Sequence, residues 1–242
     1  MIDLHSHILP ELDDGPQDLY QALEMARLAV ESGVTAMVAT PHCADDRTDE
    51  IRSMLRLLRA ALQESRVPLR IYSGMEIYGT GNTARLLTEG KLLTLNRSRY
   101  PLIEFDFRSD GHRQTQILSQ VIQAGFVPIV AHPERYAWVQ YAPEILNRWV
   151  QMGCVLQINK GSLLGRFGPV EQELSMELVS RGFAGMVASD AHGISQRTPW
   201  MYEVRLLLEQ EFGLKTAKEL LLNNPGHILK NEMIRSETPD WF

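Results

Sequence analysis

Apolar residues recur along this chain with two alternating periods. Over residues 17–32, Leu19, Ala22, Leu23, Ala26, Ala29 and Val30 fall on one helical face, and Gly33 is placed to end that helix in a left-handed turn. The run from Val34 to Thr40 reads as a buried strand. Helical spacing returns from Ile51 to Leu62 through Met54, Leu55 and Leu58, and Pro68 precedes a strand over 69–77. Further strands are predicted near Tyr100–Phe107, Val127–His132, Cys154–Asn159 and Phe183–Ser189, with helices near 112–124, 143–152, 170–180 and 200–212. With Met1–His5, the pattern predicts seven strands.

Regular strand–helix alternation implies parallel strands covered by helices, and closing such a sheet removes both of its edges. The expected fold class is α/β, a βα barrel of about seven strands, formed as one domain over residues 1–242. An open doubly wound sheet is the competing arrangement, but neither G-x-G-x-x-G nor G-x-x-x-x-G-K-[ST] occurs. Composition fits one substantial core: 242 residues, 44% of them hydrophobic. Twenty-four basic residues against 30 acidic ones give a net charge of −6, so no basic footprint for nucleic acid or anionic lipid is expected. Two cysteines without paired spacing, no basic-then-apolar start and no apolar run of about 18 residues predict a cytoplasmic protein with no membrane insertion.

In βα barrels the loops at the C-terminal strand ends share one mouth, and that is where polar groups collect here. The first strand ends in His5-Ser-His7, the second runs into Thr40-Pro-His42, and the third ends at Gly74-Met-Glu76. The fourth carries Glu104, the fifth ends at His132, and the seventh ends in Asp190-Ala-His192. Alternate strand residues share a face, so His5 and His7 can reach one ion, and so can Asp190 and His192. Glu76 and Glu104 lie among apolar residues, where an ionised carboxylate needs a metal or an arginine. Asp14, in Asp13-Asp-Gly-Pro16, reads either as a turn residue or as a further ligand, and Asp13 as a hydrogen-bond acceptor at a helix start. His112 and His227 lack comparable neighbours.

Imidazole and carboxylate donors without thiolates suit Mn²⁺, Zn²⁺ or Fe, and more than four donors imply more than one ion. Grouped ions lower the pKa of bound water and neutralise phosphoryl oxygens, so hydrolysis of a phosphate ester is the expected chemistry. Arg135, in His132-Pro-Glu-Arg135, and Arg197, five residues after His192, read either as donors to phosphate oxygens or as surface salt-bridge partners. A cysteine nucleophile of the C-x5-R kind is disfavoured, because Asp49 and Lys160 stand where that motif needs arginine.

These residues resemble the polymerase-and-histidinol-phosphatase (PHP) family, whose hallmarks match His5-x-His7, His42, Glu76, Glu104, His132 and Asp190-x-His192. Met1-Ile-Asp-Leu-His-Ser-His-Ile-Leu-Pro10, Ala131-His-Pro-Glu-Arg-Tyr136, Gln157-Ile-Asn-Lys-Gly-Ser162 and Ala188-Ser-Asp-Ala-His192 are similar to one branch of it. That branch is the bacterial manganese-dependent protein-tyrosine phosphatases encoded with capsular and exopolysaccharide genes. The resemblance implies a distorted seven-stranded PHP-type barrel with up to three ions, Mn²⁺ first and Zn²⁺, Fe or Mg²⁺ as alternatives. It implies His5, His7, Glu76 and Asp190 around one ion, Glu76, Glu104 and His132 around a second, and Asp14, His42 and His192 around a third. Arg135 and Arg197 match phosphate-binding, catalytic positions, and the implied substrate is a phosphorylated bacterial tyrosine kinase. The loop Cys43-Ala-Asp-Asp-Arg47 is acidic where that branch is often basic, which bears on substrate preference. The competing activities are a small-molecule phosphatase such as histidinol-phosphatase, a metal-dependent amidohydrolase or DNA hydrolase, and a regulator that binds phosphorylated protein without cleaving it.

Overall fold

One of the seven expected strands breaks in the middle, and another resumes beyond its expected end. The computed structural model describes residues 1–109, 111–234 and 239–242. It runs β1 (Ile2–Ser6), α1 (Leu19–Glu31), β2 (Ala36–Ala39), β3 (His42–Cys43), α2 (Thr48–Glu64), β4 (Arg70–Ser73), β5 (Glu76–Tyr78) and α3 (Thr83–Thr88). Next come β6 (Leu102–Glu104), α4 (His112–Gln123), β7 (Ile129–Ala131), α5 (Ala137–Tyr141), α6 (Ile145–Gln151), β8 (Val155–Asn159) and α7 (Lys160–Leu163). The described chain continues through α8 (Pro169–Ser180), β9 (Ala184–Ala188), α9 (Tyr202–Lys218), a π turn at Glu219–Asn223 and α10 (Asn224–Leu229).

All strand pairs are parallel, in one sheet ordered β1-β2-β4 and a second ordered β3-β5-β6-β7-β8-β9. Strand β3 resumes, past Pro41, the strand expected over 34–40, and β4 and β5 are the halves of the strand expected over 69–77. The first break follows from Pro41, which has no N–H for a ladder; its carbonyl still accepts from Glu76 N at 3.1 Å. At the second, Gly74 passes so close to its neighbours that a Cβ would fall 2.8 Å from Val38 Cγ1 and 2.9 Å from Leu95 Cδ2. The circle closes where Ser6 bridges Ala191, with Asp190 N donating to His5 O at 2.9 Å and His7 N to Ala191 O at 2.8 Å. With each broken strand taken as one, this is the distorted seven-stranded barrel, and the breaks are its distortion.

The long helices lie close to where periodicity puts them, and α9 runs on past residue 212 across a kink at Gly213 (φ +85°). The short helices α3, α5, α7 and α10 carry too few turns to leave a periodic signal, and the strand expected over 100–107 shrinks to three residues.

Neighbouring residues on a strand enter different apolar clusters. Met37, Ile103, Val130, Leu156 and Val187 join the helices in the larger one, whereas Val38, Leu102, Ile129, Val155 and Met186 pack together with Ile228 of α10 in the smaller. Both strand faces are therefore buried, one under helices and one inside the barrel. Glu104 and Gln157 sit two residues beyond Leu102 and Val155, so they continue the interior face one layer further toward the strand ends.

Candidate metal centre

That next layer is polar and almost completely buried. His5, His7, Glu76 and Asp190 have no exposed surface, and His132 and His192 are nearly as enclosed. Glu76 Oε2 lies 3.1 Å from His5 Nε2, 3.2 Å from His7 Nε2 and 3.1 Å from His42 Nδ1, while its Oε1 is 2.9 Å from His132 Nε2. Asp190 Oδ1 is 3.5 Å from both His5 Nε2 and His7 Nε2. Glu104 Oε1 approaches His42 Nδ1 to 3.0 Å, and Asp14 Oδ1 approaches His192 Nε2 to 3.1 Å and His42 Nε2 to 3.6 Å. All nine candidate ligands thus meet in one cluster, with Asp14 and His42 at its open side.

Local chain geometry explains how they get there. The loop carrying Asp14 folds onto the backbone of His7 so tightly that a Cβ on Gly15 would fall 2.2 Å from His7 O. His132, Asp190 and Arg197 all hold positive φ, at 33°, 51° and 44°, so each turns sharply out of its run. After His132, Pro133–Arg135 forms a 3₁₀ turn that brings Arg135 back beside the cluster.

The neighbours fix which imidazole nitrogens face inward. His5 Nδ1 donates to Gln157 Oε1 at 2.9 Å, His7 Nδ1 to Asp13 Oδ2 at 2.6 Å, and His192 Nδ1 to the Asp190 carbonyl at 3.0 Å. In the neutral rings the opposite nitrogens are therefore lone pairs. His5 Nε2 and His7 Nε2 point at each other across 3.3 Å, toward carboxylate oxygens that also only accept. Glu76 Oε2, Asp190 Oδ1, His42 Nδ1 and His192 Nε2 are buried without any hydrogen-bond partner. Acceptors converging on acceptors are satisfied by a proton or by a cation. Burial opposes protonation of the His5 and His7 rings, but Glu76 and Asp190 overcome it at His5, and Asp13, Asp190 and Glu76 at His7, so both are raised. The 3.3 Å gap between the two Nε2 atoms leaves no room for a proton on each. A divalent cation satisfies both at once, so the donor set fits a metal.

The charge distribution agrees. Burial works against ionising Glu76 and Asp190, yet the surrounding histidines hold both well below the usual carboxylate range. His42 is raised to about 10 by Glu104 and Glu76 against its burial, whereas burial and the neighbouring His7 push His192 down to about 4. Among the described residues, three groupings have donor atoms within 4.8 Å of one another: His5, His7, Glu76 and Asp190; His7, Asp14, His42 and His192; and His42, Glu76 and Glu104. His132 joins them through Glu76 Oε1. Cys43 stays out of the set, because its thiol donates to Asp45 O at 2.8 Å and burial raises its pKa.

Both arginines converge on Asp190. Arg197 Nη2 lies 2.6 Å and Arg135 Nη1 3.2 Å from Asp190 Oδ2, the oxygen turned away from the histidines, and Arg135 stacks 4.3 Å from the Phe167 ring.

Several supporting residues carry no ligand signature in the sequence. Asp13 Oδ2 holds His7 Nδ1 and also accepts from His42 N at 2.9 Å; its carboxyl falls to about 2, because the His7 hydrogen bond outweighs burial. Gln157 orients His5 and receives His132 N, and Asn159 Nδ2 donates to Asp190 Oδ2 at 2.6 Å. Buried Glu134 Oε1 fixes Asn159 N at 2.8 Å and Ser162 Oγ at 2.7 Å. Lys160 Nζ donates to the carbonyls of Thr198 and Trp200, tying down the segment that bears Arg197. The signal that could have found two of them is Gln157-x-Asn159, a polar alternation in an otherwise apolar strand. His227 lies apart, paired with Glu232 at 2.8 Å.

The family described as capsular polysaccharide synthesis, CpsB/CapC, has a sequence model that matches residues 1–230. The chain belongs to this family. It is 35% identical to the tyrosine-protein phosphatase YwqE of Bacillus subtilis (strain 168), over 99% of this chain and 95% of that one. A chain from the crystal structures of YwqE from Bacillus subtilis and CpsB from Streptococcus pneumoniae, described as unique metal-dependent tyrosine phosphatases, superposes with a TM-score of 0.95 at 34% identity. That superposition covers 100% of this chain and 99% of the other. The dihydropyrimidinase of Brevibacillus agri NCHU1002 covers 99% of this chain and 73% of its own at a TM-score of 0.59 and 11% identity, a likeness of fold alone. Membership of CpsB/CapC accords with the capsular branch that the motifs resemble. Among the described residues no helix is long and apolar enough to cross a membrane.

Proposed function

We propose that this chain is a metal-dependent protein-tyrosine phosphatase that hydrolyses phosphotyrosine in a bacterial tyrosine kinase controlling capsule or exopolysaccharide synthesis, in the cytoplasm. The observation that carries the reading is the convergence of His5 Nε2, His7 Nε2, Glu76 Oε2 and Asp190 Oδ1, four acceptor atoms in a buried layer. Full-length similarity to metal-dependent tyrosine phosphatases supports it.

His5, His7, Glu76 and Asp190 would hold one ion, Glu76, Glu104 and His132 a second, and Asp14, His42 and His192 a third. Nitrogen and oxygen donors without sulfur suit Mn²⁺. Bound cations supply a water of lowered pKa and neutralise phosphoryl charge. The protein's own residues do the rest. Gln157 and Asp13 keep the His5 and His7 lone pairs inward, and Asn159, Arg135 and Arg197 immobilise Asp190 from its far side. Guanidinium N–H groups not engaged by Asp190 offer donors to the non-bridging oxygens of a phosphate at the mouth. Asp14 and His42, at the exposed edge, leave the approach open for a tyrosine side chain.

The test is a paired assay of a phosphotyrosine peptide and histidinol phosphate, before and after chelation and with Mn²⁺ restored. The expected result is metal-dependent phosphate release with kcat/KM for the peptide at least tenfold higher, and oxygen-18 from solvent in the product. Preference for histidinol phosphate would overturn the substrate, and turnover undiminished by chelation would overturn the metal chemistry.

A further inference from the structure

Beyond the ends of β5 and β6 lies a cavity of about 510 Å³, lined by Tyr78, Phe105, Asp106, Arg108, Arg113 and Gln114 together with small neighbours. None of the candidate ligands lines it, but Tyr78 stands two residues after Glu76, and Phe105 and Asp106 directly follow Glu104. Tyr78 pairs with Glu104 in the β5–β6 ladder, and Gly79 N donates to Glu104 O at 2.8 Å. Asp106 stands two residues past Glu104, roughly 7 Å along extended chain.

Three observations give this cavity a preference. Arg108 and Arg113 are exposed, and neither guanidinium has a hydrogen bond or ion pair among the described residues. Helix α4 starts from Gly111, which offers no capping side chain, so the electropositive end of a 12-residue helix opens here with Arg113 and Gln114 in its first turn. Gln114 is only 6% exposed, and its amide orientation follows from its neighbour. Ser109 Oγ donates to Asp106 O at 3.1 Å, so it accepts from Gln114 Nε2 at 2.5 Å, which leaves Gln114 Oε1 a buried acceptor without a partner. Among the described residues the acid in the lining is Asp106, whose carboxylate accepts from Arg108 N at 2.8 Å, against two arginines.

Unpaired cations, a helix N-terminus and a buried unpartnered acceptor beside a phosphate-ester site describe a seat for peptide: anionic side chain on the arginines, backbone N–H on Gln114. We propose that this cavity is a subsite for the segment flanking the phosphotyrosine and selects an anionic side chain there, with Arg108 and Arg113 as specificity-determining residues. The inference rests on the phosphotyrosine reading above. A carboxylate and a second phosphate share the required chemistry.

The test uses the full chain loaded with Mn²⁺ and three peptides that share one phosphotyrosine, flanked by glutamates, by glutamines or by a second phosphotyrosine. p-Nitrophenyl phosphate, which has no flanking residues, is the fourth substrate. The wild type is expected to favour the glutamate or doubly phosphorylated peptide over the glutamine peptide about five- to tenfold in kcat/KM, mainly through KM. In the Arg108→Gln/Arg113→Gln variant that preference collapses, with p-nitrophenyl phosphate turnover unchanged. Which anionic peptide leads distinguishes carboxylate from phosphate. Equal kcat/KM for all three peptides in the wild type, or a preference that survives the double substitution, overturns the subsite while leaving the phosphatase intact. Hydrolysis of p-nitrophenyl phosphate without any phosphotyrosine peptide turnover overturns the phosphotyrosine reading itself.

Discussion

The same strands build two adjoining layers with opposite energetics. Leu102, Ile129, Val155 and Met186 fill the lower barrel interior, where every buried atom removes apolar surface from water. One layer up, Glu76, His5, His7 and Asp190 are just as buried, and they present like-minded acceptors to one another. Mutations should therefore separate the two layers: those below cost stability, and those above cost metal and rate.

The largest effect is expected at Glu76, which touches four histidines. Glu76→Gln should reduce turnover at least about a thousandfold, about 4 kcal/mol of barrier, together with loss of bound metal by elemental analysis. Full metal occupancy in an inactive variant would show that Glu76 is not a ligand. Next, Leu102→Ala in the lower layer should cost about 2–5 kcal/mol of unfolding free energy in urea titration, with metal content and kcat of the folded protein kept. If turnover falls as steeply as at Glu76, the layers are not separable.

Arg197→Ala should lower kcat/KM about ten- to a hundredfold while metal content stays intact, and Arg135→Ala should do the same more weakly, following their 2.6 and 3.2 Å contacts with Asp190. Metal loss in either variant would mean that the arginines serve Asp190 alone. The smallest effect concerns pH. Burial lowers the Lys160 ammonium to about 8, against 10.5 for an ordinary lysine. Between those values the unfolded chain holds a proton that the folded chain has released, so stability rises with pH across that window and is flat below it. Relative to Lys160→Met, the wild type should gain about 1–2 kcal/mol between pH 7.5 and 9.5 in urea unfolding; no gain would place the lysine's charge in solvent.

Period-two reasoning made the upper layer legible wherever it used residue types able to ligate metals. His5-x-His7 and Asp190-x-His192 announce themselves because alternate strand residues share a face, and Glu76 and Glu104 because a carboxylate among apolar neighbours needs an explanation. Asp13, Glu134, Gln157, Asn159 and Lys160 were harder to read, since amides, a capping-type aspartate and a lysine acquire their roles only when strands distant in sequence lie side by side. The Asn159–Asp190 bond needs β8 next to β9. Seven strands were likewise readable, whereas the breaks at Pro41 and Gly74 depend on contacts with Glu76, Val38 and Leu95 that periodicity does not encode.

The closure of the barrel has a consequence for biosynthesis. The β1–β9 seam joins the first strand to the last, and Ser189 reaches back across 184 residues to the carbonyl of His5. His5 and His7 are synthesised well before Asp190 and His192, which follow all nine of the described strands. Such a high-contact-order closure comes late in folding. A nascent chain therefore carries its histidines in an unfinished ring for most of its synthesis, and the candidate metal layer is complete only once the first strand and the last have joined.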